Sequence, residues 1–184
     1  TDNEYVFKLG STTSTHTLEF RNAIALGTRH RVVDVADGTS ATNVDARLTG
    51  VLSGTGTLAK TGTGTLELTG ANTYSGGTLL REGRLLISND GSSSATGTGY
   101  VWTTQNTVLG GSGAIAPTGT GEITIGGSVA PGTPATNDGA GTLIFTPASR
   151  NATFTSTSTA DFQLRTNGTH GLTALFHPDG TLAS

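Results

Sequence analysis

The chain has no cysteine, so no disulfide staples it and no thiol is on hand for redox chemistry. Charge is scarce. Asp, Glu, Lys and Arg together make up 12% of 184 residues, about half the usual share. The net charge is −3 and Lys and Arg form no cluster, which argues against nucleic acid as a partner. Aromatic residues are only 5%. No apolar run approaches the roughly 20 residues of a membrane helix, so the chain is not expected to insert in a bilayer through a helix. No basic stretch followed by an apolar one opens the sequence, as a secretory signal would. No ten residues keep helical apolar spacing without a glycine, which predicts almost no α-helix.

What the chain has instead is glycine, 28 residues of it, still more threonine, and a repeated phrase. Residues 54–61 read GTGTLAKT and residues 62–69 read GTGTLELT, with Leu58 and Leu66 in the same slot. Each phrase holds one short strand, Thr57–Lys60 and then Thr65–Leu68. Further on, Thr78–Leu80 and Arg84–Ile87 repeat the pair, which maps Leu58 onto Leu79 and Leu66 onto Leu86 at a period of roughly 20 residues. A strand that recurs after that interval, with others between, fits one coil of a β-solenoid. Its sides stack on those of the next coil about 4.8 Å away. Glycine supplies the tight corners and threonine the branched, strand-favouring side chains.

More candidate strands keep the rhythm: Thr17–Phe20, Ala23–Leu26, Arg31–Val35, Ala46–Leu52, Tyr100–Trp102, Thr107–Leu109, Ala114–Ala116, Glu122–Ile125, Ser128–Ala130, Thr142–Phe145, Ala152–Thr155, Asp161–Arg165 and Leu172–Phe176. If all of the chain is solenoidal, about eight to nine coils and a rod of roughly 40 Å follow. The expectation is one domain over 1–184, with a strand or cap at 1–16, regular coils over 17–147 and less regular coils over 148–184. The expected interior is Leu58, Leu66, Leu68, Leu79, Leu85, Ile87, Leu109, Ile115, Ile123, Ile125, Val129, Leu143 and Phe145.

The run from Gly54 to Thr78 has the form G-x-G-x-L-x-K-x-G-x-G-x-L-x-L-x-G-x-N-x-Y-x-G-G-T. On those residues the chain resembles the autotransporter-associated β-strand repeat of bacterial passenger domains, with the likeness reaching over about 48–132. The resemblance implies a right-handed parallel β-helix, export to the bacterial cell surface, and a structural or adhesive role. It supplies no catalytic residues and no cofactor. The family's signal peptide and membrane barrel do not accompany this sequence, which reads as a processed product or an excised segment.

Candidate sites are few. His30 and Asp34 fall on one face of a strand, near Asp37, and read better as a solvated face than as an acid–base pair. Beyond residue 47 the carboxylates are spread roughly one per coil, which disfavours a polysaccharide-cleaving site built on a carboxylate pair. Asn89-Asp90-Gly91, Asn137-Asp138-Gly139 and His177-Pro178-Asp179-Gly180 read as turns, and no metal is expected. Asn72 should bond the backbone at a coil corner, and Tyr74 should cover the coil edge. Tyr74, Tyr100 and Trp102 are the candidates for contact with a glycan or a cell-surface partner, Tyr100 and Trp102 sharing one strand face. Tyr5, Val6, Phe7 and Leu9 form a strand that could pair with a neighbouring copy, making self-association by strand addition or end-to-end stacking the alternative role.

Overall fold

The computed structural model describes residues 5–40, 43–119, 121–132, 142–146, 152–155 and 159–160. Among them are eighteen short strands and no helix. In chain order they are β1 Tyr5–Leu9, β2 Leu18–Phe20, β3 Ile24–Ala25, β4 Arg31–Val35, β5 Ala46–Leu48, β6 Leu52–Ser53, β7 Leu58–Thr61, β8 Thr65–Leu68, β9 Thr78–Leu80, β10 Arg84–Ile87, β11 Val101–Thr103, β12 Val108–Gly111, β13 Ala114–Ile115, β14 Ile123–Ile125, β15 Ser128–Pro131, β16 Ile144–Phe145, β17 Ala152–Phe154 and β18 Thr159–Ala160. The candidate strands Asp161–Arg165 and Leu172–Phe176 lie outside the described residues, as do the turns at 137–139 and 177–180.

Strands recur around a coil and stack. One seven-stranded sheet runs β1-β4-β7-β9-β11-β14-β17, a second runs β2-β5-β8-β10-β12-β15-β18, and two short pairs, β3-β6 and β13-β16, add parts of a third side. Every strand pairing is parallel and joins one coil to the next. The chain is a β-solenoid of about 24 residues per turn.

That period is longer than the one read from the repeat. Along the first sheet one inward column runs Tyr5, Arg31, Leu58, Thr78, Val101, Ile123 and Ala152. The steps between its members are 26, 27, 20, 23, 22 and 29 residues. In this sheet only β7 to β9 keeps 20, because strand columns must align while loops on the surface vary in length. Among the described residues each of the two large sheets has seven strands.

The register also corrects one core residue. Leu58 pairs with Thr78 and Leu66 with Leu85, one position short of the sequence mapping. A one-residue slip turns a strand over. Leu80 is thus fully buried, while Leu79 faces outward and is half-buried. Leu58, Leu66, Leu68, Leu85, Ile87, Leu109, Ile115, Ile123, Ile125 and Val129 do form the interior, with Leu143 and Phe145 packed partly buried against it. Each such Leu or Ile contributes roughly 1.5–3 kcal/mol by leaving water.

Corners need close approach. Gly62 sits at φ +75°, and a Cβ there would collide with the Val35 carbonyl of the coil below. Glycine alone fits both demands. Gly50 breaks the expected long strand Ala46–Leu52 into β5 and β6, since its Cβ would run into the backbone of Asn22.

Candidate functional site

The polar side chains inside the solenoid hold its corners. Lys60 occupies an inward position of β7, in register with Val33 and Leu80, and is fully buried. Its ammonium curls to the corner and donates to the carbonyls of Thr61 at 2.8 Å, Gly62 at 2.6 Å and Glu82 at 3.1 Å. Burial lowers its pKa from 10.5 to about 8, against the opposing pull of Glu82, Asp34 and Asp45. The Glu82 carboxylate closes the corner by accepting from the Gly62 amide at 3.1 Å.

Asn72 bonds backbone at a corner, as its place in the repeat predicts, and in doing so links three coils. Its Oδ1 accepts from the Leu52 amide at 2.7 Å and its Nδ2 donates to the Ala95 carbonyl at 2.6 Å. Asn89 repeats the device, accepting from the Ala114 amide at 2.7 Å and donating to the Ser93 carbonyl. Asp45 is buried and accepts from the amides of Gly38 and Thr65.

Tyr74 departs from expectation. It is 0% exposed and lies within the core, so it offers no outer surface for a sugar or partner. Thr78 donates to the Thr96 carbonyl, so the Tyr74 hydroxyl is the donor in its 2.5 Å bond to Thr78 Oγ1. Burial pushes the phenol pKa up, which the Thr78 bond only partly offsets. Tyr100 precedes β11 and is half-buried, its ring lying over Gly77. Trp102 is the aromatic on the open face, 54% exposed at an outward position of β11. In register beside it stand Leu79 and Thr124, with Ala59 and Val32 continuing the column. The platform is thus one indole beside half-buried Leu79 and Thr124, since Ala59 and Val32 are buried.

The N-terminal strand is likewise not loose. Tyr5–Leu9 pairs with β4 in parallel over all five residues, and Leu9 is buried in the core. Among the described residues it is the first rung of its own sheet. Its surroundings are mostly apolar, with Lys8 and Glu19 also exposed. Tyr5 is 60% exposed, and Val6, Phe7 and Leu18 are also exposed. Phe7 meets Phe20 edge-to-face at 5.6 Å, and Arg31 stacks on the Tyr5 ring at 4.9 Å. A mouth of about 330 Å³ opens there and reaches Leu58, two rungs in.

Arg47 Nε meets Glu67 Oε2 at 2.5 Å across neighbouring rungs, and Arg21 meets Glu19 at 3.0 Å. Asp90 accepts from the amide and hydroxyl of Ser92, which hold its pKa below the ordinary value. His30 is exposed ahead of β4, and Asp34 pairs in register with Lys8 and Thr61. Among the described residues no three His, Asp or Glu side chains gather as metal ligands would.

Residues 58–87, from β7 to the end of β10, match the family model described as passenger-associated-transport-repeat. No curated protein and no solved structure matches the chain significantly. The matched stretch holds the Lys60 corner, the Asn72 bridge and the buried Tyr74.

Proposed function

We propose, from the passenger repeat at residues 58–87, that this chain is a non-catalytic structural segment of an exported, passenger-like bacterial surface protein. The observation that carries the reading is the stack itself. The repeat sits in the middle of two unbroken parallel ladders, and its polar residues brace corners instead of meeting in a cleft. The distribution of acids supports the same reading, since Glu67, Glu82 and Asp45 are each occupied in holding neighbouring backbone or Arg47. The role is to set a length and to present outer faces away from the cell.

The test is to place the chain between a secretory signal and an outer-membrane barrel and to shave intact cells with protease. Release of the segment from the surface is expected. Retention in the periplasm despite a folded barrel would sink the proposal. Incubating the purified chain with a polysaccharide panel should release no reducing or unsaturated sugar.

Adhesion belongs to this proposal through Trp102, the exposed aromatic on the outer stripe. It is also the single tryptophan of the sequence. A glycan or protein ligand at this face should shift or quench its fluorescence, and Trp102→Ala should abolish binding while leaving the fold intact.

A further inference from the structure

We infer that the turn Asn89-Asp90-Gly91 is a site of spontaneous backbone isomerisation, where aspartate converts to isoaspartate through a cyclic imide, and that the fold protects a second pair, Asp37-Gly38, from the same reaction. This is chemistry of the chain itself. It depends neither on export nor on adhesion.

The reaction needs an aspartyl residue followed by an unhindered peptide nitrogen. The Gly91 amide nitrogen attacks Asp90 Cγ, a C–N bond forms, and the amide proton leaves with the carboxyl hydroxyl as one water. Water then adds across either C–N bond of the imide ring. Opening on the Cγ side restores aspartate. Opening at the old backbone carbonyl leaves the main chain running through Cγ, one methylene longer and with no change of mass. Glycine in second place favours the attack, because it has no Cβ to obstruct the nitrogen.

Asp-Gly occurs at 37–38, 90–91, 138–139 and 179–180, and the first two pairs fall among the described residues. Asp37 and Asp90 are both exposed, so access of water does not separate them. Their glycine amides differ. Gly38 donates to the carboxylate of buried Asp45 at 2.8 Å, and Asp45 is itself pinned by the Thr65 amide at 2.7 Å. A Cβ on Gly38 would lie 2.6 Å from the Ser14 carbonyl oxygen and 3.2 Å from that of Ser11, so neighbouring backbone packs this peptide closely. Gly91, by contrast, donates to no partner among the described residues. A Cβ there would meet only the end of the Ile144 side chain, at 3.7 Å. The Asp90 carboxylate accepts from the Ser92 amide at 3.0 Å and from its hydroxyl at 2.7 Å, which curls it back along the Gly91 peptide. The same bonds favour the ionised carboxylate, whose oxygen leaves poorly, so the wild-type reaction is slow.

Conversion would be felt next door. Asn89 bonds both the Ala114 amide and the Ser93 carbonyl, and residue 90 lies between Asn89 and Ser93. An added methylene shifts the two relative to each other and loosens that bridge.

The test is to age the folded chain in mildly acidic buffer and map isoaspartate by site. Peptide retention, resistance to cleavage before aspartate, and labelling by an isoaspartyl methyltransferase serve as readouts. Conversion at Asp90 is expected roughly ten- to hundredfold faster than at Asp37, the factor set by the charged hydrogen bond that Gly38 must first break. Aged in urea, the two sites should react at similar rates. Asp90→Asn and Asp37→Asn lose ammonia in place of water and carry no carboxylate to ionise, so they should keep the same order at higher speed. Residue 90 failing to convert in the folded chain while converting in urea, residue 37 converting as fast or faster, or a difference that persists in urea would each overturn the inference.

Discussion

Lys60 shows how a single inward residue binds the stack. Its column is otherwise mostly apolar, and its ammonium reaches three carbonyls in two successive corners. Between pH 8 and 10.5 the unfolded chain keeps a proton on Lys60 that the folded chain has released. Stability therefore rises through that window, by about 3 kcal/mol at most, and Lys60 contributes no slope below it. Urea unfolding at about pH 7.5 and about pH 10 should show this gain, and Lys60→Met should flatten it relative to the parent chain. Asn72 predicts a different signature. Replacing it with Ala strands the Leu52 amide and the Ala95 carbonyl inside the protein, at about 2–3 kcal/mol measured by the same unfolding. The role of Asn72 was legible, because asparagine at a corner bonds backbone. The place of Lys60 could have been found from its even spacing to Leu58, but lysine is so rarely buried that the period-2 rule reads as broken there.

At the scale of strands, register decides what each residue is worth. Leu80→Ala should cost about 2–5 kcal/mol, as for any filled core position, whereas Leu79→Ala should cost less than about 1 kcal/mol. Equal losses would mean the strand sits the other way up. The strands themselves were readable where apolar residues alternate between glycines: β4 and β8 fall on the stretches the sequence marks out. The register of β9 was not, because Thr78-Leu79-Leu80 offers two adjacent leucines and the repeat length alone cannot choose between them. What chooses is the column, where Thr78 lies under Val101 and over Leu58, and its hydroxyl finds Tyr74 and the Thr96 carbonyl. Tyr74 was misplaced for a related reason. Nothing in a turn sequence says that a ring folds inward, and only the donor bond to Thr78 makes its hydroxyl tolerable there.

For the molecule as a whole, each rung touches only its neighbours, so stability should be graded along the axis. Hydrogen exchange should be slowest at β8 and β10, which have a rung on either side and the braced corners between them, and fastest at β1, which is covered on one side. Uniform exchange along the ladder would show instead that the chain opens as one unit.

The unequal steps between rungs, from 19 to 31 residues, carry a consequence for how such a molecule can change. The connecting segments absorb insertions, while the ladders accept only whole rungs. Size is therefore an integer. Excising residues 58–77 should bring Thr78 to the position of Leu58 and leave a shorter but folded rod, with a denaturant m-value lower by about a tenth. A gene for this architecture can gain or lose reach by duplication or deletion in single counts, as a ruler is cut at its marks.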